Sequence, residues 1–286
     1  MSIPVRVALI GLGRMGQAVA RNLLQVPFLR LVLAVSSQGG AKTGKDLGEI
    51  LNLPPSGLVV RGCNELAHSL IETRPEIVID FTTPESALRN LKIAAKSGAH
   101  LIVGTTGFTR FQTETLRSLA QYHKVSLVMA PNLSIGINIL MDAANKLARV
   151  LPGFDVEIVE EHHRYKKDAP SGTAIRLAQS VAEGMGINLE KGLVFGRHGN
   201  KSRNNREIAI HALRGGGTVG VHKIVFVSDN ERIEIKHKSL NRSAFTDCLL
   251  KVIEYVHAHA PGIYTVEEIL GLRPAVRIHA AEEDVS

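Results

Sequence analysis

The chain has 286 residues, 44% hydrophobic, 21% charged and only 4% aromatic, enough for one large domain or two modest ones with well-formed cores. That composition excludes a disordered chain, a collagen-like repeat and a disulfide mini-scaffold. The formal net charge of +7 favours an anionic partner without naming one.

Residues 5–10 read as a first strand, 15–25 as a helix and 29–36 as a second strand. Residues 77–81 read as another strand, after which Thr83, Pro84 and Glu85 supply a cap, a first-turn proline and an acid for the helix dipole. The spacing predicts a helix from there to Ser97, with Ala87, Leu91 and Ala94 or Ala95 inward and Gly98 ending it. Residues 100–103 and 125–129 are predicted buried strands, joined by a helix over about 110–123. Short β-branched runs alternating with helices are the pattern of parallel βαβ units.

The pattern changes near residue 133. A helix over 135–150 stops before Pro152, and strand-like stretches at 155–160, 207–213, 223–227 and 232–238 follow without adequate crossovers, which predicts a mixed or antiparallel sheet. Ser228-Asp229-Asn230 suits a hairpin turn between the last two. Ile233 and Ile235 alternate with Glu234 and Lys236, so one face is expected to be buried and the other wet or paired with another subunit. Helical spacing returns over about 243–259 through Phe245, Leu249, Val252, Ile253 and Val256, and the tail from His279 is expected to fray.

The longest apolar runs are strand-sized, far short of the roughly 20 residues a membrane span needs, so no bilayer crossing is expected. The opening MSIPVRVALIGLG carries one arginine and no cleavage site, which argues against a secretory leader and for the cytoplasm. Cys63 and Cys248 match no metal or redox spacing and read as two buried thiols in a reducing compartment. Basic residues are scattered except for Arg197, His198, Lys201, Arg203 and Arg206. That stretch lacks aromatics to stack bases, so an anionic metabolite fits better than nucleic acid.

Gly11-Leu12-Gly13-Arg14-Met15-Gly16 follows a predicted strand and opens a helix, the context in which G-x-G-x-x-G carries weight. Missing side chains let the backbone approach a pyrophosphate, and the helix N-terminus offers unpaired N–H groups and partial positive charge. Dinucleotide binding is therefore expected at Gly11, Gly13, Arg14, Met15 and Gly16, with a purely structural turn as the alternative. The acid that would read a ribose about 20 residues on is missing: Ser36 and Ser37 stand there, and no carboxylate follows until Asp46. With Arg14, Lys42 or Lys45 as counter-charge, this favours NADPH over NADH, unless the serines tolerate both. Gly104, Thr105 and Thr106, and Ala130, Pro131 and Asn132, follow predicted strands. There they are placed to border a nicotinamide.

Residues 160–174 read EEHHRYKKDAPSGTA. His162, His163 and Lys166 bring two imidazoles and an ammonium to a strand end, and Pro170-Ser171-Gly172-Thr173 looks like the start of a helix. A helix N-terminus beside cations is a two-sided carboxylate clamp. Lys166 can donate a proton where neighbouring cations favour its release, and histidine does so near neutral pH. Two alternatives remain: a solvated turn beside one buried histidine, or a metal site with Asp168 and Glu160 as the only near carboxylates. No metal is expected.

Taken together these motifs resemble the 4-hydroxy-tetrahydrodipicolinate reductase (dihydrodipicolinate reductase) family of the diaminopimelate route to lysine. The resemblance spans nearly the whole chain: GLGRMG at 11–16, DFTTPE at 80–85, GTTGF at 104–108, APNLSIGIN at 130–138, EEHHRYKKDAPSGTA, and IHALRGG at 210–216. It implies a Rossmann-type dinucleotide-binding domain with a mainly parallel sheet, residues 1–132 with 243–286. Residues 133–242 would then be an α+β substrate-binding and oligomerisation domain with a mixed sheet, assembling as a homotetramer. By the same resemblance His162 is the catalytic histidine, Lys166 the proton donor and His163 a substrate contact. Gly172 and Thr173 hold a substrate carboxylate, and Gly104 to Thr106 with Ala130 to Leu133 surround the nicotinamide of NADPH or NADH. Arg242 matches a family arginine near the end of the substrate domain.

The chain departs from the family pattern in three places. Its first glycine loop is one residue shorter than the common G-x-x-G-R-M-G, Ser36-Ser37 replaces an acid-plus-arginine pair, and Gly217 and Val221 stand where an acid is often found. The expected ligand is a small cyclic dicarboxylate, with closure of the two domains over both ligands. A related imine reductase or amino-acid dehydrogenase and a non-catalytic nucleotide sensor are the rival readings.

Overall fold

The structure is a computed structural model describing residues 3–241 and 244–274. Arg242 and the tail from His279 lie outside the described residues. In chain order the elements are β1 (Val5–Ile10), α1 (Arg14–Leu23), β2 (Leu29–Ser36), α2 (Leu47–Leu51), β3 (Arg61–Gly62), α3 (Leu66–Thr73), β4 (Ile77–Asp80), α4 (Pro84–Lys96), β5 (His100–Val103), α5 (Arg110–Tyr122) and β6 (Leu127–Met129). There follow α6 (Ile135–Val150), β7 (Asp155–His162), α7 (Gly172–Met185), α8 (Leu189–Gly192), β8 (Leu193–Phe195), β9 (Ile208–Arg214), β10 (Gly220–Val227) and β11 (Arg232–Ser239). The chain closes with α9 (Ala244–Ala258), β12 (Ile263–Thr265) and α10 (Val266–Ile269). It divides into two compact units, one built from the residues up to Leu133 and those from Phe245 on, the other from Ser134–Ala244.

The first unit carries a seven-stranded sheet in the order β12-β6-β5-β4-β1-β2-β3, with every pairing parallel. Without β12 this is the doubly wound order 3-2-1-4-5-6, whose direction reverses between β1 and β4, so the carboxyl ends of those strands flank the switch point. β4 is buried at every position, as strands covered on both faces must be. The Thr83 hydroxyl caps α4 by accepting from the Ser86 N–H. That helix buries Ala87, Leu91, Ala94 and Ala95, and Gly98 after its C-cap adopts φ +82°.

The second unit has a five-stranded sheet, β11-β10-β7-β9-β8, in which β7, β9 and β8 run parallel and β10 is antiparallel to both neighbours. Ile137, Leu140 and Ala144 of α6 and Leu177, Ala178 and Val181 of α7 pack with Val156, Ile158, Ile224 and Phe226 of the sheet. Ile233 and Ile235 pack against this core while Glu234 and Lys236 are exposed, as their alternation predicts. Truncating a large core side chain here, such as Phe226→Ala, is expected to cost about 3–5 kcal/mol.

The elements that the sequence pattern does not reveal are short, apart from the eight-residue α3. β3, α2, β8, α8 and β12 have two to five residues each, too few for a period to register. One expectation is corrected: Cys248 is buried, its thiol pushed up to about 12 by burial, but Cys63 is exposed in a single 3-10 turn ahead of α3. A thiol in a capping turn at a helix start has no core to enter.

Candidate active site

The three glycines of the 11–16 turn do three different things. Gly11 has φ +96°, and a side chain there would meet the Phe81 carbonyl oxygen at 2.5 Å. A Cβ on Gly16 would lie 1.8 Å from the Gly11 carbonyl oxygen, so the helix starts hard against the turn. Gly13, the N-cap of α1, has no protein atom within 4 Å of where its Cβ would be. That open backbone face at a helix N-terminus fits a pyrophosphate, with Arg14 exposed and Met15 half-buried on the first turn. Lys42 donates to the Leu12 carbonyl at 2.5 Å, which brings a cation to the turn, whereas Lys45 pairs with Glu49. Ser36 ends β2 and Ser37 is exposed beyond it, its carbonyl accepting from the Thr43 hydroxyl at 3.1 Å.

One of the two loops expected to border a nicotinamide, 104–106, is tied from beneath to the turn after β4. Asp80, the last residue of β4, has no solvent exposure. Its carboxylate accepts from the Thr82 N–H (2.9 Å), the Thr82 hydroxyl (2.6 Å), the Thr105 hydroxyl (2.8 Å) and the Asn90 amide (3.0 Å). Thr105 is thus a buried tie between loops, while Thr106 is exposed. Gly104 makes room for the Phe81 ring, which a Cβ would overlap at 2.1 Å. Ala130 and Leu133 are buried, Asn132 nearly so, and Pro131 is exposed.

In the second unit the strand period builds the site. Val156, Ile158, Glu160 and His162 alternate onto the same face of β7, so an acid and an imidazole two residues apart stand side by side. Register with β9 sets Arg214 beside His162, and register with β10 sets His222 beside Glu160. The His162 Nδ1 lies 2.5 Å from Glu160 Oε2, and Arg214 grips both oxygens of Glu160 at 2.9 and 2.7 Å. Arg214 also donates to the Asp168 carbonyl at 2.6 Å, tying down the 163–170 loop.

That loop contains a cis Ala169-Pro170 peptide and leads to Ser171, the N-cap of α7, whose hydroxyl accepts from the Ala174 N–H. Gly172 and Thr173 therefore contribute first-turn N–H groups, and the Gly172 backbone is open on its Cβ side. Lys166 pairs with Asp168 at 2.9 Å, so its immediate partner is a carboxylate. Burial works to raise the Asp168 carboxyl, but the Lys166 ammonium and Arg214 hold it below its ordinary value. His163 is half-buried, with Nδ1 shielded and unpartnered.

Glu160, Arg214, His222 and Asp80 belong to the surroundings of these candidates, and sequence reasoning gave them no role beyond naming Glu160 as a carboxylate of the metal alternative. A signal was present for one of them: Glu160 is an acid in phase with Val156 and Ile158 on an inward face. The basic stretch also finds its use here, since Arg197 pairs with Glu157 and Glu207, and Arg203 with Asp155 and Glu157. Those two guanidiniums tie the 196–207 loop to β7 and to Glu207. Among the described residues no cluster of three or more histidine, cysteine or acidic side chains is arranged to hold a metal ion.

Residues 5–133 match the family model described as dihydrodipicolinate reductase, N-terminus, and residues 136–270 the one described as dihydrodipicolinate reductase, C-terminus. The chain belongs to the dihydrodipicolinate reductase family. It is 40% identical over 270 residues to the 4-hydroxy-tetrahydrodipicolinate reductase of Methanocaldococcus jannaschii, covering 94% of this chain and 98% of that protein. With the enzyme of the same name from Myxococcus xanthus it shares 41% identity over 273 residues, covering 94% and 98%. The structure of a dipicolinate-bound dihydrodipicolinate reductase from Paenisporosarcina sp. TG-14 superposes with a TM-score of 0.74 at 28% identity, over 93% of this chain and 99% of that one.

Proposed function

We propose that the chain carries the activity of its family, the NAD(P)H-dependent reduction of the dehydrated form of 4-hydroxy-tetrahydrodipicolinate to tetrahydrodipicolinate in lysine and diaminopimelate biosynthesis. The reading of the site rests on one observation above all: a single strand-loop-helix segment, β7 to α7, gathers His162, His163, Lys166 and the first-turn N–H groups of Gly172 and Thr173. A substrate with two carboxylates needs the ammonium, imidazole and main-chain N–H donors that this segment offers. Dipicolinate in the Paenisporosarcina enzyme is a ligand of the same chemistry.

Gly11, Gly13 and Gly16 would hold the pyrophosphate of a nicotinamide dinucleotide, which would supply hydride. The substrate ring accepts it at carbon 4 and becomes an enamine, which must then take up a proton. Lys166 is the donor in this reading. His162 relays or tunes that proton, His163 and α7 hold the carboxylates, and Asp168 releases Lys166 as substrate arrives. Lys42 at the glycine turn and the uncharged Ser36-Ser37 support NADPH as the preferred cofactor. We further propose a homotetramer paired through the sheet of the second unit, and a cytoplasmic site of action where NAD(P)H is supplied.

An assay with freshly generated substrate, run with NADPH and NADH side by side, tests both activity and preference. Lys166→Ala and His162→Gln should each lower turnover about a hundredfold or more. Unchanged turnover in Lys166→Ala ends that assignment, and equal kcat/KM with the two cofactors ends the NADPH preference.

A further inference from the structure

Glu160 has no solvent exposure, yet four donors converge on its carboxylate: His162 Nδ1, both Arg214 terminal nitrogens, and the Ser171 main-chain N–H at 3.0 Å. Burial works to raise this carboxyl, but the hydrogen bonds from His162, Arg214 and Ser171 outweigh it and bring it down to about 2. An ionised carboxylate can only accept, so Nδ1 of His162 must carry the proton and Nε2 is the nitrogen left for a ligand.

The surroundings preserve that arrangement. Gly220 leaves space where a Cβ would stand 3.2 Å from His162 Nε2. The His222 ring meets His162 edge-on at 5.3 Å, and burial together with the neighbouring His162 pushes His222 down to about 3, so it packs as a neutral ring. Against His162 stand Glu160 on its own strand and Arg214 on β9, and Arg214 in turn holds the Asp168 carbonyl of the loop that carries the Lys166–Asp168 pair.

We propose that Glu160 is a positioning residue for the reaction: its carboxylate fixes His162 in the Nδ1–H form and locks that ring to the first turn of α7 and, through Arg214, to the loop carrying Lys166. Glu160 touches no substrate itself. One group thereby sets both the proton-handling nitrogen and the carboxylate clamp. The inference rests on the reading of His162 as a participant in proton transfer.

The test uses the full-length enzyme labelled with 15N-histidine, its Glu160→Gln and His162→Gln variants, and the double variant. The expected spectrum of the wild type shows neutral His162 as the Nδ1–H tautomer, lost in Glu160→Gln. That variant should lose about tenfold to a hundredfold in kcat/KM, and should cost clearly less in the His162→Gln background, where only its hold on α7 and Arg214 is left to lose. An Nε2–H tautomer in the wild type overturns the proposal even if the variant does not fold. So does an equal loss with and without His162, which would make Glu160 merely structural. Full turnover in His162→Gln alone would instead defeat the reading of His162 and leave the tautomer result to stand by itself.

Discussion

Both units bury a carboxylate completely near the carboxyl end of a strand, and the two are held by different chemistry. Asp80 is met by neutral donors from Thr82, Asn90 and Thr105, whereas Glu160 sits between a guanidinium and an imidazole. Neutral donors around a buried acid fix loop geometry, which is what a unit that offers its backbone to a ligand needs. A buried acid with charged partners also decides where a proton resides, and so suits a unit that must handle one. In the proposed reading the first unit recognises its ligand through glycines and amides, the second through side-chain charge.

The widest break in that comparison should come from Gly16→Ala. The new methyl would overlap the Gly11 carbonyl, costing at least about 1–3 kcal/mol of stability and abolishing dinucleotide binding. Gly13→Ala meets no protein atom, so its Tm should stay that of the parent while the fluorescence-measured Kd for NADPH rises. Binding as tight as the parent's in Gly13→Ala would remove the pyrophosphate from that face.

Acid should separate the units next. Glu160 is lowered from 4.5 to about 2, so its contribution, on the order of 3 kcal/mol, is present in full above about pH 4.5 and lost as pH falls toward 2. His222 is lowered from 6.5 to about 3, so the unfolded chain takes up a proton that the folded one refuses, and stability falls from about pH 6.5 downward. Hydrogen exchange at pH 4 against pH 7 should therefore show the second unit opening more readily, and His222→Phe should flatten the limb below pH 6.5. Equal acid sensitivity of the two units would contradict the contrast.

The smallest effect belongs to Asp80→Asn. An amide facing the Asn90 amide and the two threonine hydroxyls leaves part of the network unsatisfied, at about 1–3 kcal/mol. KM for the cofactor should rise and KM for the dicarboxylate should not, in steady-state assays varying each in turn. A rise confined to the dicarboxylate would mean that the 80–83 and 104–106 loops serve the other ligand.

Much of this was legible before any coordinates. The strand–glycine–helix junction at 10–16, the cap of α4 at Thr83 and the length of α6 follow from local rules, because main-chain geometry and the 3.6-residue period act within a few residues. The 160–174 segment declared its chemistry through composition alone. Less legible was the setting of that chemistry. Arg214 lies 54 residues from Glu160, and Asp80 is 25 residues from Thr105. Lys166 was legible as a proton donor, but its pairing with Asp168 is set by the fold of the loop.

By itself the amino-acid order determined which residue types are available and how each short segment folds: glycines where the backbone must come close, a capped helix after the histidines, and an acid in phase with an apolar face. Only the tertiary structure decided which strand lies beside which. The register of β7 against β9 and β10 brings Arg214 and His222 to Glu160 and His162. Sheet pairing between distant segments is settled by burying whole faces at once, and no local window of sequence contains that sum.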